Sequence, residues 1–302
     1  RNLISIRLLR GTGIGPAIRH IEAFGFGPEA MPPNLTLALG TGQVTPLEMA
    51  RGFAVFANGG WRLTPYFIEK IADSSGTITF EATPPLACPG CVDSPAADTA
   101  SAAGTSNMAT GDAFASDSAG GDAAGNPAGD VPLERRAPRA ISAANAFVMT
   151  DMMTDVIQRG TGQRAKALGR RDVAGKTGTT SDHRDAWFVG FNADLVAAAW
   201  IGFDQERSLG DNEEGGRTAL PMWLYFMQVA LKDRPEHRLP EPPGIMRMWV
   251  SRETGAPASA GSPGSIFEVF LDRFPPQAGS SGFGAEVDAE SVRLPASEES
   301  IF

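Results

Sequence analysis

Lys176, Thr177, Gly178 and Thr179 stand in a row inside the run Ala174-Gly175-Lys176-Thr177-Gly178-Thr179-Thr180-Ser181. One ammonium and a line of hydroxyls, interrupted by a residue without a Cβ, can hold a carboxylate and let a peptide backbone come close. A bare Lys-Thr-Gly triplet also marks ordinary turns and strand ends, so its surroundings decide its meaning. The chain has four lysines, Lys70, Lys166, Lys176 and Lys232, and the residues three places before them are Phe67, Gln163, Val173 and Val229. No Ser-x-x-Lys pair exists in the chain, which therefore offers a binding wall without an activated serine.

The elements that must position this row can be read from periodicity. Ser142 to Gln158 has apolar residues Phe147, Val148, Met152, Val156 and Ile157 near a 3.6-residue repeat, which predicts a helix that stops at Arg159-Gly160-Thr161-Gly162. Thr161 and Gly162 either line the mouth of the cleft or do no more than end that helix. A short segment, Gln163 to Leu168, follows. Asp185 to Phe191 and Leu195 to Phe203 read as two buried strands joined by the polar turn Asn192 to Asp194. The Lys-Thr-Gly strand then opens an antiparallel sheet.

With these neighbours in place, Ala144 to Phe203 resembles the second half of the transpeptidase domain of the class A, bifunctional, penicillin-binding proteins. Lys-Thr-Gly is one of three short motifs of serine acyl-transferases of this kind, with Ser-x-x-Lys and Ser-x-Asn. Arg1-Asn2-Leu3-Ile4 is similar to the end of the family's Ser-x-Asn motif and the helix after it, with the serine one residue before the chain starts. Leu37 to Gly60 and Pro65-Tyr66-Phe67-Ile68 are similar in order and spacing to the corresponding family stretch. The resemblance covers residues 1–81 and 140–276.

The resemblance implies a mixed α/β fold of the α+β type, an antiparallel sheet flanked by helices, here incomplete. It implies peptidoglycan DD-transpeptidation through a serine acyl-enzyme, with D-Ala-D-Ala stem peptides and β-lactams as ligands and no cofactor or metal. Lys176 would place its ammonium in the cleft. Thr177 and Thr179 would bind the terminal carboxylate, the Thr179 N–H would be an oxyanion donor, and Gly178 would let substrate lie along the strand. Asn2 would hydrogen-bond the substrate, and Thr161, Gly162 and Thr180 would line the cleft. An upstream glycosyltransferase domain and an inner-membrane anchor facing the periplasm are implied as well, outside these residues. A DD-carboxypeptidase or serine β-lactamase would share the Lys-Thr-Gly strand. Because the nucleophile is absent, the 302 residues alone are expected neither to acylate nor to hydrolyse, and a non-catalytic binding module is the alternative outside enzymes.

Charge and composition set the boundaries. The net charge is −9, but Asp93, Asp98, Asp112, Asp117, Asp122, Asp130 and Glu134 supply seven negatives with no Lys or Arg between them. Residues 82–139 are Ala, Gly, Ser, Asp and Pro with almost no large apolar side chain, which predicts a disordered insert. Arg135, Arg136 and Arg139 are expected to be solvated there. The segments are thus 1–81, 82–139, 140–276 and a Gly/Ser/Glu-rich tail, 277–302, also expected to be disordered. Cys88-Pro89-Gly90-Cys91 reads as a local disulfide, since zinc lacks further ligands and a redox motif would want a helix start. No apolar run is long enough for a membrane helix, and no basic, aromatic-studded patch suits nucleic acid.

Other motifs read as structure. Ser181, His183 and Asp185 are too close along a strand for a hydrolytic triad. Trp187 and Trp200 read as sheet-face packing, and Glu213 to Arg217 as a solvated loop before an apolar helix, Leu220 to Leu231. Gly11-Thr12-Gly13-Ile14-Gly15 lacks the strand and lysine of a phosphate loop, and Leu3 to Leu9 before it fits a buried helix. The last strands of the sheet are expected at Arg247 to Ser251 and Ile266 to Leu271.

Overall fold

A computed structural model describes residues 2–88, 91 and 131–277, and the expectations for the middle of the insert and for the tail lie outside them. The chain divides into two units, residues 1–243 and 244–302.

The first unit is assembled from helices with legible ends. Helix α1 (Asn2–Thr12) runs into α2 (Ile14–Ala23) across Gly13, whose φ of 89° a side chain would strain. Helix α3 (Pro46–Ala57) starts on a reciprocal cap: Thr45 accepts from the Glu48 N–H and Glu48 accepts from the Thr45 N–H, with Pro46 in the first turn. Helix α4 (Ala143–Gln158) is capped by Ser142, whose hydroxyl accepts from Asn145 N–H at 3.2 Å. Helix α5 (Leu220–Ala230) grows out of a π-helical turn at Gly215–Ala219.

A short hairpin, β1 (Lys70–Ala72) and β2 (Ile78–Glu81), is exposed throughout. The main sheet is β3 (Ala174–Thr179), β4 (Ala186–Phe191) and β5 (Val196–Ile201), antiparallel in that order, with β3 at the edge. Alternation sends the two faces of β4 into different cores. Ala186 and Phe188 pack with Leu220, Trp223 and Met227 of α5, the Phe188 and Trp223 rings meeting edge-on at 4.9 Å. Phe191 packs with Ala57 of α3 and Met153 of α4 on the other side. Each of these large side chains contributes about 1.5–3 kcal/mol by leaving water.

A polar clamp closes the far end of the sheet. Asp172, 7% exposed, takes two bonds from the Arg170 guanidinium at 2.9 and 2.7 Å, one from Asn192 Nδ2 at 3.1 Å and one from the His237 N–H at 2.9 Å. Burial acts to raise the Asp172 pKa, and these bonds outweigh it, holding the carboxyl below its usual range.

Three expectations are corrected. Leu3 to Leu9 is helical but not buried: Leu3, Ile4 and Leu8 are 59%, 56% and 47% exposed, because α1 meets only α2 and the 3-10 turn Leu35–Leu39 among the elements with substantial contacts. Of the three arginines at the end of the insert, Arg135 is exposed as expected, but Arg136 and Arg139 are not simply solvated. Arg139 donates to Gly59 O at 2.8 Å and lies 4.1 Å over the Trp61 ring, and Arg136 Nε donates to Val131 O at 2.7 Å. The last strands, β6 (Ile245–Ser251) and β7 (Ser265–Leu271), do not extend the main sheet but form their own antiparallel hairpin in the second unit.

The ends of the 82–139 segment lie side by side. Leu86 N–H donates to Arg135 O at 2.7 Å and Ala137 N–H to Leu86 O at 2.8 Å. Cys88 and Cys91 are disulfide-bonded, and they pack with Trp61, Ala137 and Val131.

Candidate active site

Strand β3 is an edge, and its chemistry follows from which way each group points. Thr180 N–H donates to Asp185 O at 3.2 Å, so the even-numbered residues of β3 exchange main-chain bonds with β4. The N–H and C=O groups of Thr177 and Thr179 therefore face the open edge. Side chains alternate the other way. Thr177 and Thr179 stand opposite Phe188 and Ala186, on the α5 side, while Lys176 and Gly178 stand opposite Val189 and Trp187, on the reverse face.

On the α5 side a cleft of about 260 Å³ is lined by Thr161, Gln163, Arg164, Thr177, Thr179, Glu214, Gly216 and Arg217. Its hydroxyls are arranged as donors. Thr161 and Thr177 share a 2.6 Å hydrogen bond, so one proton of the pair is left for a ligand. The Thr179 hydroxyl accepts from Gly215 N–H at 3.1 Å, which leaves its own proton free as well. The floor cannot shift easily. A Cβ on Gly215 would fall 2.1 Å from Trp187 O and 2.5 Å from Gly178 O, and one on Gly216 would fall 2.6 Å from Thr161 O. Bare backbone thus presses the π-helical turn onto β3 and onto the loop after α4.

Lys176 lies outside this cleft lining. Its Nζ donates to Thr177 O at 2.8 Å, on the open edge of the strand. The residue is exposed, yet the protein around it desolvates the ammonium and pushes its pKa below the ordinary lysine value. Water reaches the ammonium from one side only.

The sequence-predicted residues are placed as follows. Thr161, Thr177 and Thr179 come together, and Gly162 sits behind them with its α-carbon facing Val156 and Phe188. The Arg159 to Gly162 segment both ends α4 and delivers Thr161 to the cleft. Gly178 faces the Trp187 side, where a Cβ would meet Trp187 Cβ at 3.1 Å. Thr180 accepts from Asp185 N–H at 2.8 Å and belongs to the turn after the strand. Asn2 is exposed at the start of α1 and makes no hydrogen bond to Lys176 among the described residues. Asp185 serves Trp200, whose indole N–H donates to it at 2.8 Å, and the Trp187 and Trp200 rings pack 6.0 Å apart.

Sequence reasoning missed Gln163, Arg164, Glu214, Gly216 and Arg217 as cleft residues. The signal it had was the Gly215-Gly216 pair, a place where backbone approaches backbone before an apolar helix.

Residues 33–203 match a protein family described as "Penicillin binding protein transpeptidase domain". The chain belongs to this family. As a penicillin-binding protein of the class A type, it is 44% identical over 277 residues to Penicillin-binding protein 1A of Pseudomonas aeruginosa, an alignment covering 91% of this chain and 34% of that protein. It is 39% identical over 246 residues to Penicillin-binding protein 1A of Neisseria lactamica, covering 82% of this chain and 25% of the relative. The crystal structure of Penicillin-Binding Protein 1A from Haemophilus influenzae superposes with a TM-score of 0.75 at 33% identity, over 92% of this chain and 39% of that one. The chain thus spans a quarter to two fifths of the length of these relatives, and its fold is that of the penicillin-binding transpeptidases.

Proposed function

We propose that this chain supplies the carboxylate-binding wall of a serine DD-transpeptidase that cross-links peptidoglycan stem peptides, its nucleophile coming from Ser-x-x-Lys residues outside these 302. The observation that carries the reading is the pair of spare protons on the threonine hydroxyls of an edge strand. One comes from the Thr161–Thr177 pair and one from Thr179, both on a floor that bare glycine backbone locks in place. Two preset donors fit the two oxygens of one carboxylate, whether of a terminal D-alanine or of a β-lactam. The open edge offers the Thr179 N–H to a developing oxyanion and main-chain partners to an extended peptide. Lys176, on the far side of the same strand, contributes positive charge at that edge, and its lowered pKa makes it a readier proton donor than a free lysine. Asn2 would join the site only against the residues that complete it.

In this proposal the whole protein works at the periplasmic face of the inner membrane, with a glycosyltransferase domain preceding these residues. Residues 82–139 are an insertion within one transpeptidase domain, and 277–302 a tail.

A fluorescent penicillin tests the reading. A longer version of the protein that carries the Ser-x-x-Lys segment is expected to be labelled, Lys176→Ala in it to be labelled at least tenfold more slowly, and the 302 residues alone not at all. A folded longer protein that resists labelling, or a label attached within these residues, overturns the proposal.

A further inference from the structure

The cleft faced by Thr177 and Thr179 holds more positive charge than one carboxylate uses. Arg164 and Arg217 line it against a single acid, Glu214. Arg164 spends one donor on the Arg217 carbonyl at 3.3 Å. The Arg217 guanidinium makes no hydrogen bond or ion pair with any described residue. Its base, by contrast, is fixed: Arg217 N–H and Thr218 N–H donate to Glu214 O at 2.9 and 2.8 Å, and Gly215 and Gly216 just before it are pressed onto β3 and onto Thr161. A planar fork of five donors rises from a fixed turn at the lip of the cleft, without a partner among the described residues.

We infer that Arg217 is a specificity-determining residue for the amine that enters the site, selecting a molecule with two carboxylates. One, beside the amine, is taken by Thr177 and Thr179, and the second, further along the molecule, is taken by Arg217. The inference rests on the transpeptidase reading above. By microscopic reversibility the entering amine occupies the place of the amine that left, so its own carboxylate falls on the threonines. Its side chain then runs along the cleft toward Arg164 and Arg217. In the transfer the amine nitrogen bonds to the acyl carbon, the ester bond to the serine oxygen breaks, and a proton passes from nitrogen to that oxygen, with no change of oxidation state.

The test gives the longer, Ser-x-x-Lys-bearing protein a thioester donor with either D-glutamate or D-glutamine as acceptor, two molecules of nearly equal shape that differ in the second charge. The ratio of transfer rates, glutamate over glutamine, is expected to be about fivefold, to fall toward one in 1 M salt, and to be about one in Arg217→Gln. A wild-type ratio near one overturns the inference, as does a ratio that persists in an Arg217→Gln protein still labelled by penicillin. Should that variant lose labelling, the salt series on the wild type decides, and a ratio indifferent to salt overturns the inference. Failure of penicillin to label the wild type removes the transpeptidase reading itself, and this one with it.

Discussion

Helices α1 and α5 both carry apolar residues, α1 with Arg7 and Arg10 among them and α5 with no charged residue, and they meet opposite fates. In α5, Leu220, Trp223 and Met227 are 0–1% exposed against the sheet, although Met222, Tyr225, Phe226 and Val229 on its other side are at least 52% exposed. In α1 no residue is buried. The difference teaches that an apolar stripe records a tendency to be covered, while the amount of covering depends on what the rest of the chain brings to it. Where β4 reaches a helix, the stripe becomes a core; where only α2 and a short turn do, it stays a surface.

The largest expected effect that would break this contrast is Trp223→Ala. It removes the ring that meets Phe188 and the indole N–H that donates to Gly190 O at 3.1 Å, and should cost about 3–5 kcal/mol in urea unfolding followed by circular dichroism. A cost below about 1 kcal/mol would mean that α5 is no more anchored than α1.

Asp172→Asn sharpens the comparison on the polar side of the same core. The depressed carboxyl pKa contributes stability that is present above the unfolded value of about 4 and is lost as pH falls through the lower, folded value. The wild type should therefore lose stability below about pH 4. The variant, with Arg170 left facing an amide, should be about 2–3 kcal/mol less stable at pH 7 and should lack that part of the acid slope. Unfolding midpoints measured between pH 3 and pH 7 check both.

Leu8→Ala is the smallest expected change, within about 0.5 kcal/mol, because a half-exposed side chain leaves little cavity behind. A thermal unfolding shift comparable to that of Trp223→Ala would show that α1 is covered after all.

Much of the first unit was legible because its signals are local. Ser142 announces the start of α4 and Arg159-Gly160 its end, and the alternation and run length of 186–191 and 196–201 give both strands. Thr177 and Thr179 were legible for the same reason, as near neighbours on one strand, and Thr161 as part of the stop after α4. The arginine lip was not. Arg217 reaches Thr177 only through the docking of Gly215 and Gly216 on β3, a contact across nearly forty residues that no periodicity encodes. Nor does alternation by itself say which side of β3 has a cleft, which is why Lys176 was expected beside Thr177 and Thr179 and lies on the reverse face. The hairpin of β6 and β7 was read correctly as strands but assigned to the wrong sheet, since two seven-residue strands look alike wherever they pair.

The bridge between Leu86 and Arg135 to Ala137 fastens the two flanks of the 82–139 segment to each other. Any connection that leaves after Leu86 and returns before Arg135 meets two ends already in register. Closing a connection onto such ends costs only about 0.6 kcal/mol more for each doubling of its length. That makes the position a natural port: a short linker, a reporter peptide or an entire small domain could be written there without editing the sentence around it.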